Sequence, residues 1–157
     1  MPYNDLRRGR RSIEGQTYLI TAATHGRRAI FADLPAASMV ARAISHTEGE
    51  GLWTMLAWVV MPDHVHVLVT LRHSSLATAM QALKGRSSRS LGHVLRLRGP
   101  IWQPGFHDRA LRRDESLEAA ARYVCTNPLR AGIVRSLREY PYWDTSLEGF
   151  REVMASG

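Results

Sequence analysis

One cysteine, Cys125, and one lysine, Lys84, are all that the 157 residues hold of those two types. A lone thiol excludes a disulfide framework within the chain, and no Cys/His cluster has the spacing of a structural zinc site. Long apolar runs are missing as well: none approaches the roughly 18 to 20 residues that span a bilayer. The first dozen residues, MPYNDLRRGRRS, are polar and basic and lead into no apolar segment of a signal peptide. A reducing cytoplasm is therefore the expected compartment. With 45% hydrophobic and 22% charged residues, the chain has the balance of a protein that folds around its own core without metal or disulfide. Its length fits one domain over residues 1–157, with a basic arm over about 1–15 and a tail over about 130–157.

The scarcity of lysine makes the positive charge almost entirely arginine. Twenty-one basic residues face 14 acidic ones, a formal net charge of +7. Arginine grips phosphate with a planar two-pronged fork and stacks on bases, so this excess points to nucleic acid. A GC-rich coding sequence produces the same excess without any such partner.

Read in order, TYLITAAT (residues 17–24) is rich in β-branched types and suits a first strand. Asp33 can cap a helix in which Ala37, Val40, Ala41 and Ile44 fall on one face, stopped by Gly49 and Gly51. A second strand runs from about Trp53 to Val60, and Pro62-Asp63 makes a tight connection into a third, from His64 to about Leu71. From Ser75 a second helix presents Leu76, Met80 and Leu83. Gly99-Pro100 breaks the chain before a short strand near Phe106 to Leu111. A third helix starts at Asp114 and ends near Pro128, because the residue before proline disfavours helical backbone. No element is assigned from Arg130 onward. The order is that of an α+β, ferredoxin-like split βαβ fold: a four-stranded antiparallel sheet with two helices on one face and an extra C-terminal helix. The second face of the sheet is expected to be open for function.

The third strand carries an unusual pair. In VVMPDHVHVLV (residues 59–69), alternation sends Val65, Val67 and Val69 to one face and His64, His66 and Leu68 to the other. Two imidazoles on one face of a stiff strand can share an ion, or can be satisfied surface histidines. His73 and His107 are isolated and are left out of the site, and Asp63 reads as a turn former. On the third helix, Leu117, Ala121 and Val124 form the expected buried stripe, with Tyr123 and Asn127 one turn apart beside it. Asn127 is either a third, hard ligand or a helix cap; Tyr123 is either a nucleophile near a bound phosphate or a half-buried aromatic.

Taken together these segments resemble a known family. MPDHVH carries the HUH motif of single-strand DNA endonucleases, and YVCTNPLRAGIV (residues 123–134) is similar to the catalytic helix of the single-tyrosine HUH transposases. WQPGFHDR (residues 102–109) resembles a signature of the branch called REP-associated tyrosine transposases, and the likeness extends from about Arg8 to Trp143. The resemblance implies a ferredoxin-like core and a tyrosine, Tyr123, that cuts single-stranded DNA through a covalent 5′-phosphotyrosine. It implies a divalent cation, Mg2+ or Mn2+, held by His64, His66 and Asn127. The implied substrate is a REP-like palindrome folded as a hairpin with a 5′ tetranucleotide, bound in the nucleoid by a monomer. A non-cleaving, domesticated DNA-binding protein of the same fold is the alternative, and a phosphodiesterase using activated water, with Tyr123 merely structural, is a third.

Candidate DNA contacts read from the residues are Arg7, Arg8, Arg10 and Arg11 on the arm, Lys84, Arg86 and Arg89 after the second helix, and Arg109. Each is also readable as a solvated charge. Trp102 and Phe106 could stack on unpaired bases or pack in the core.

Overall fold

The computed structural model of the chain describes residues 12–156, so the arm that carries Arg7, Arg8, Arg10 and Arg11 lies outside the described residues. Five strands form one sheet: β1 (Thr17–Ala23), β2 (Trp53–Met61), β3 (His64–Leu71), β4 (His107–Ala110) and β5 (Trp143–Thr145). Their order is β4-β1-β3-β2-β5, with every neighbouring pair antiparallel. The first four strands have the ferredoxin-like arrangement expected from the element order. The fifth comes from the tail, where no element was assigned, and extends the sheet beyond β2.

Helices α1 (Leu34–Gly49) and α2 (Leu76–Val94) cover one face. Each opens on a side-chain cap that satisfies an otherwise unpaired N–H: Asp33 accepts from the Ala36 amide and Ser75 from that of Thr78. Against this pair pack Ile20, Val65, Val67 and Val69, together with Val40, Ile44, Leu76, Met80 and Leu83. The expected valine face is thus the helix-covered face.

The other face departs from expectation, because part of it is covered. Helix α3 (Leu117–Cys125) lies against β2 and β3 there, and Ala121, Val124 and Cys125 form a second core with Val59, Leu68, Leu137, Trp143 and Met154. His64 and His66 lie on this same face, on the strand that also carries Leu68 of the second core. The stripe is also rotated from the one read in the sequence: Leu117 is 38% exposed, and Ala120 and Cys125 are buried in its stead. Ser116 caps the helix by accepting from Ala119 N–H, so α3 starts later than Asp114. Burial pushes the Cys125 thiol up to about 12, with Asp144 adding to the effect, which leaves the chain's single cysteine an inert apolar packer.

A bulge in β2 makes the two cores possible from one strand. The register against β3 shifts between Met55 and Ala57. Before the shift, Trp53 and Met55 face the α1/α2 core; after it, Ala57, Val59 and Met61 face the α3 core. One extra residue exchanges the faces of the alternating side chains.

Candidate active site

The two-residue connection between β2 and β3 aims the histidine pair. Met61 and His64 are cross-strand partners, so Pro62 and Asp63 alone make the turn. That turn is held from outside by the segment that follows β1: Thr24 donates to the Asp63 carbonyl through its backbone N–H (2.9 Å) and its hydroxyl (3.1 Å), and Phe31 N–H donates to the Pro62 carbonyl (2.9 Å). Every one of these bonds restrains the first residues of β3.

His64 and His66 then stand with ring centroids 4.8 Å apart and planes at 80°. Asp63 does more than turn the chain, because its Oδ1 lies 2.7 Å from His64 Nδ1 and its Oδ2 accepts from Arg27 Nε at 3.1 Å. Burial alone would raise the Asp63 carboxyl, but the His64 hydrogen bond and the Arg27 charge outweigh it and hold it below its ordinary value. His66 is 9% exposed, and its Nδ1 lies 2.8 Å from the hydroxyl of Thr21, its cross-strand neighbour on β1. Burial first, and then the nearby charges of His64, Arg130 and Arg27, lower the His66 pKa to about 4, so its ring is neutral at physiological pH.

These surroundings fit a metal. An imidazole that ligates through Nε2 carries its proton on Nδ1, and both Nδ1 atoms have an oxygen placed to receive it, Asp63 Oδ1 and Thr21 Oγ1. Among the described residues no three His, Cys, Asp or Glu side chains are grouped so that they could hold a metal ion.

Tyr123 reaches this corner from α3. Its ring centroid is 6.2 Å from that of His66, edge to face, and the residue is 49% exposed. The helix does not run on to Asn127 as the sequence reading had it. Thr126 has non-helical backbone (φ −87°, ψ 3°), α3 ends at Cys125, and Asn127 opens a separate short helix, α4 (Asn127–Arg130), with Pro128 in its first turn. Proline offers no N–H to continue the α3 ladder, which explains a break this close to it. The other described tyrosines are committed elsewhere. The Tyr18 hydroxyl accepts from Ile13 N–H, and those of Tyr140 and Tyr142 donate to the carbonyls of Val60 and Leu34. Burial, with Tyr142 adding to it, also pushes the Tyr140 phenol up to about 12.

The sequence reading missed three residues here: Thr21, Arg27 and Arg130. Arg130 places its guanidinium carbon 4.3 Å from the centre of the Tyr123 ring. None of the three has a local signal, since each acts across the fold or across a helix break.

The expected DNA contacts separate into groups. Trp102 and Phe106 are 7% and 6% exposed and belong to the α1/α2 core, which corrects the reading of them as base-stacking platforms. Trp102 donates through Nε1 to Ser87 Oγ (2.9 Å) and lies 5.1 Å from the Phe31 ring. Lys84 donates to the carbonyls of Gln103 (2.9 Å) and Gly105, and so ties α2 to the WQPGF turn, where Gly105 takes φ +79°. Arg86 is paired with Glu50, and Arg109 donates to both oxygens of Glu115 (2.6 and 2.8 Å). Arg89 is exposed on α2. Register also sets His107, Thr21 and His66 in one row across β4, β1 and β3, so His107 shares the face of the histidine pair. No described helix is long and apolar enough to cross a membrane.

The sequence profile of a family described as "Transposase IS200 like" matches residues 12–127. A REP-associated tyrosine transposase of Escherichia coli K12 is 26% identical over 132 residues, 83% of this chain and 76% of that protein. A putative REP-associated tyrosine transposase of Haemophilus influenzae is 28% identical over 98 residues, 55% of this chain and 56% of that one. Among solved structures, a REP-associated tyrosine transposase bound to a REP hairpin superposes with a TM-score of 0.70 at 25% identity, covering 85% of this chain and 79% of its own. A putative transposase from Deinococcus radiodurans shares the fold at a TM-score of 0.50 and 20% identity, over 81% of this chain and 92% of its own. The chain belongs to the IS200-like transposase family, and by both sequence and fold its likeness is to the REP-associated tyrosine transposases.

Proposed function

We propose that the protein cleaves and rejoins single-stranded DNA at REP-type hairpins, with Tyr123 as the nucleophile. The observation that carries this reading is the meeting of an exposed tyrosine with two imidazoles whose Nδ1 atoms are already engaged by Asp63 and Thr21. The hairpin substrate is taken from the relative whose structure holds one.

The Tyr123 hydroxyl gives up its proton and its oxygen attacks the scissile phosphorus. A P–O bond to Tyr123 forms, the bond to the 3′ oxygen breaks, and that oxygen leaves as a hydroxyl once protonated. The product is a 5′-phosphotyrosine and a free 3′ end. Because the phosphate ester is retained, attack by a 3′ hydroxyl reverses the step without an external energy source. A divalent cation, Mg2+ or Mn2+, held by His64, His66 and Asn127 would supply stabilisation of the negative charge that builds on the non-bridging oxygens. The stiff strand, the Pro62-Asp63 turn and the Nδ1 partners hold the imidazoles in place, and neutrality of His66 keeps its ring available as a donor of electrons. Exposure of Tyr123 lets a strand from solvent reach its oxygen.

The test is incubation with a 3′-labelled single-stranded hairpin and Mg2+ or Mn2+. A labelled adduct that survives denaturation and vanishes in Tyr123→Phe is expected, and His64→Ala should abolish the adduct while leaving salt-sensitive binding largely intact. Cleavage that persists in Tyr123→Phe, or binding with no cleavage under either metal, would refute the reading.

A further inference from the structure

We propose that Arg130 is a positioning residue for Tyr123, fixing both the orientation of its ring and the helix break that follows it; the inference rests on the reading of Tyr123 as nucleophile. An exposed tyrosine has no core to choose its rotamer, so a nucleophile in that setting needs another restraint. Arg130 is placed to be that restraint. Its guanidinium lies over the Tyr123 ring with 4.3 Å between the carbon and the ring centroid, while His66 meets the same ring edge-on at 6.2 Å. The ring is thus bracketed by two groups from two elements.

Arg130 holds the backbone of the same residue as well. Its Nη2 donates to the Tyr123 carbonyl at 2.6 Å and its Nη1 to Thr126 Oγ1 at 2.5 Å. Thr126 in turn donates its hydroxyl to the Arg122 carbonyl at 2.5 Å. The carbonyls of a helix's last turn have no partners within the helix, and here a side chain from the next helix meets one of them. The fork therefore spans the break: one prong on α3, one on Thr126, and the stem on α4, the helix that begins with Asn127. Ring, break and Asn127 form one unit tied by one guanidinium.

The chemistry asks for arginine in particular. A planar group with donors at both ends can stack on a ring and bond to two acceptors at once, whereas an ammonium is a compact point donor that cannot do all three together. Misplacing a reacting atom by about 1 Å can cost about 10²-fold in rate. Arg130→Ala should thus slow single-turnover adduct formation on a hairpin strand by about 10²-fold, with hairpin affinity within about 3-fold of wild type. Arg130→Lys, which keeps the charge and loses the fork, should recover no more than a small part, and added methylguanidine should raise the rate of Arg130→Ala but not of Tyr123→Phe.

A readout independent of cleavage separates this inference from the reading beneath it. In fluorotyrosine-labelled protein, the Tyr123 resonance, assigned by its loss in Tyr123→Phe, should move in Arg130→Ala toward the position of a freely rotating ring. If wild type forms no adduct, the functional reading fails while the resonance still tests the bracket. A wild-type adduct rate in either Arg130 variant, or an unmoved Tyr123 resonance, would overturn the proposal. So would a rate loss fully accounted for by weaker hairpin binding. Should Arg130→Ala fail to fold, Arg130→Lys carries both measurements.

Discussion

His66 should make the stability of the fold depend on pH in a window set by its own burial. The ring is 9% exposed and titrates near 4 in the folded protein, against 6.5 for an ordinary histidine. Between those values the unfolded chain binds a proton that the folded chain refuses. Stability therefore rises with pH across the window: it is fully present above the unfolded value and is lost progressively as the pH falls toward the folded one. A separation of about 2.5 units corresponds to about 3.4 kcal/mol once both states are protonated, and to about 2 kcal/mol by about pH 5. The assay is urea unfolding followed by tryptophan fluorescence at a series of pH values, with a chelator present so that no bound ion contributes. His66→Asn is the comparison, because its amide lies where Nδ1 was and can keep the Thr21 contact. That variant is less stable at neutral pH, since a shorter side chain leaves a void. Its stability should nevertheless fall less on acidification, so the gap between the two proteins narrows by about 2 kcal/mol between about pH 7.5 and 5. Parallel curves would show that the buried environment does not hold the ring neutral, and would remove the argument that His66 enters the site as a ready ligand.

Two further outcomes test the assignments around the site. Trp102→Phe deletes buried indole surface and the bond to Ser87 Oγ, and should cost about 1–3 kcal/mol in urea unfolding while leaving the hairpin affinity of the folded fraction within about twofold; weakened binding at unchanged stability would restore Trp102 to the DNA surface. Asp63→Asn removes the carboxylate that joins His64 to Arg27, and should weaken Mn2+ binding, measured by calorimetric titration, by about 10–100-fold with the fold intact; an unchanged affinity would mean that His64 is oriented without Asp63.

What could be read in the sequence was what repeats over short distances. The period of two in β3 sorted valines from histidines correctly, and the caps at Asp33 and Ser75 marked where α1 and α2 begin. His64, His66 and Tyr123 are brought to one corner as their motifs suggested. The failures share a cause. Trp102 and Phe106, open in the sequence between base stacking and core packing, belong to a loop whose packing depends on Ser87 and Lys84 of another helix, so nothing near them in the chain decides between the two. The end of α3 was tied to Pro128 in the sequence and falls three residues before it, at Cys125, while its start is set by the Ser116 cap rather than by Asp114, and its buried stripe is rotated. The bulge in β2, which turns Val59 and Trp53 to opposite cores, leaves no mark that alternation could detect in advance.

The same division runs through the site itself. The groups proposed to react and to ligate lie within short motifs, since two imidazoles on one strand can be selected by local spacing. The groups that set their protonation and aim come from elsewhere: Thr21 from β1, Arg27 from the loop after it, Arg130 from beyond the helix break. An imidazole alone on a strand has two possible tautomers and several orientations; an oxygen at Nδ1 chooses among them. An exposed phenol likewise has several rotamers until a plane is laid against it. Motif residues thus define which chemistry is available to the chain, and the residues that meet them only in the folded state determine whether the chemistry has the geometry it needs.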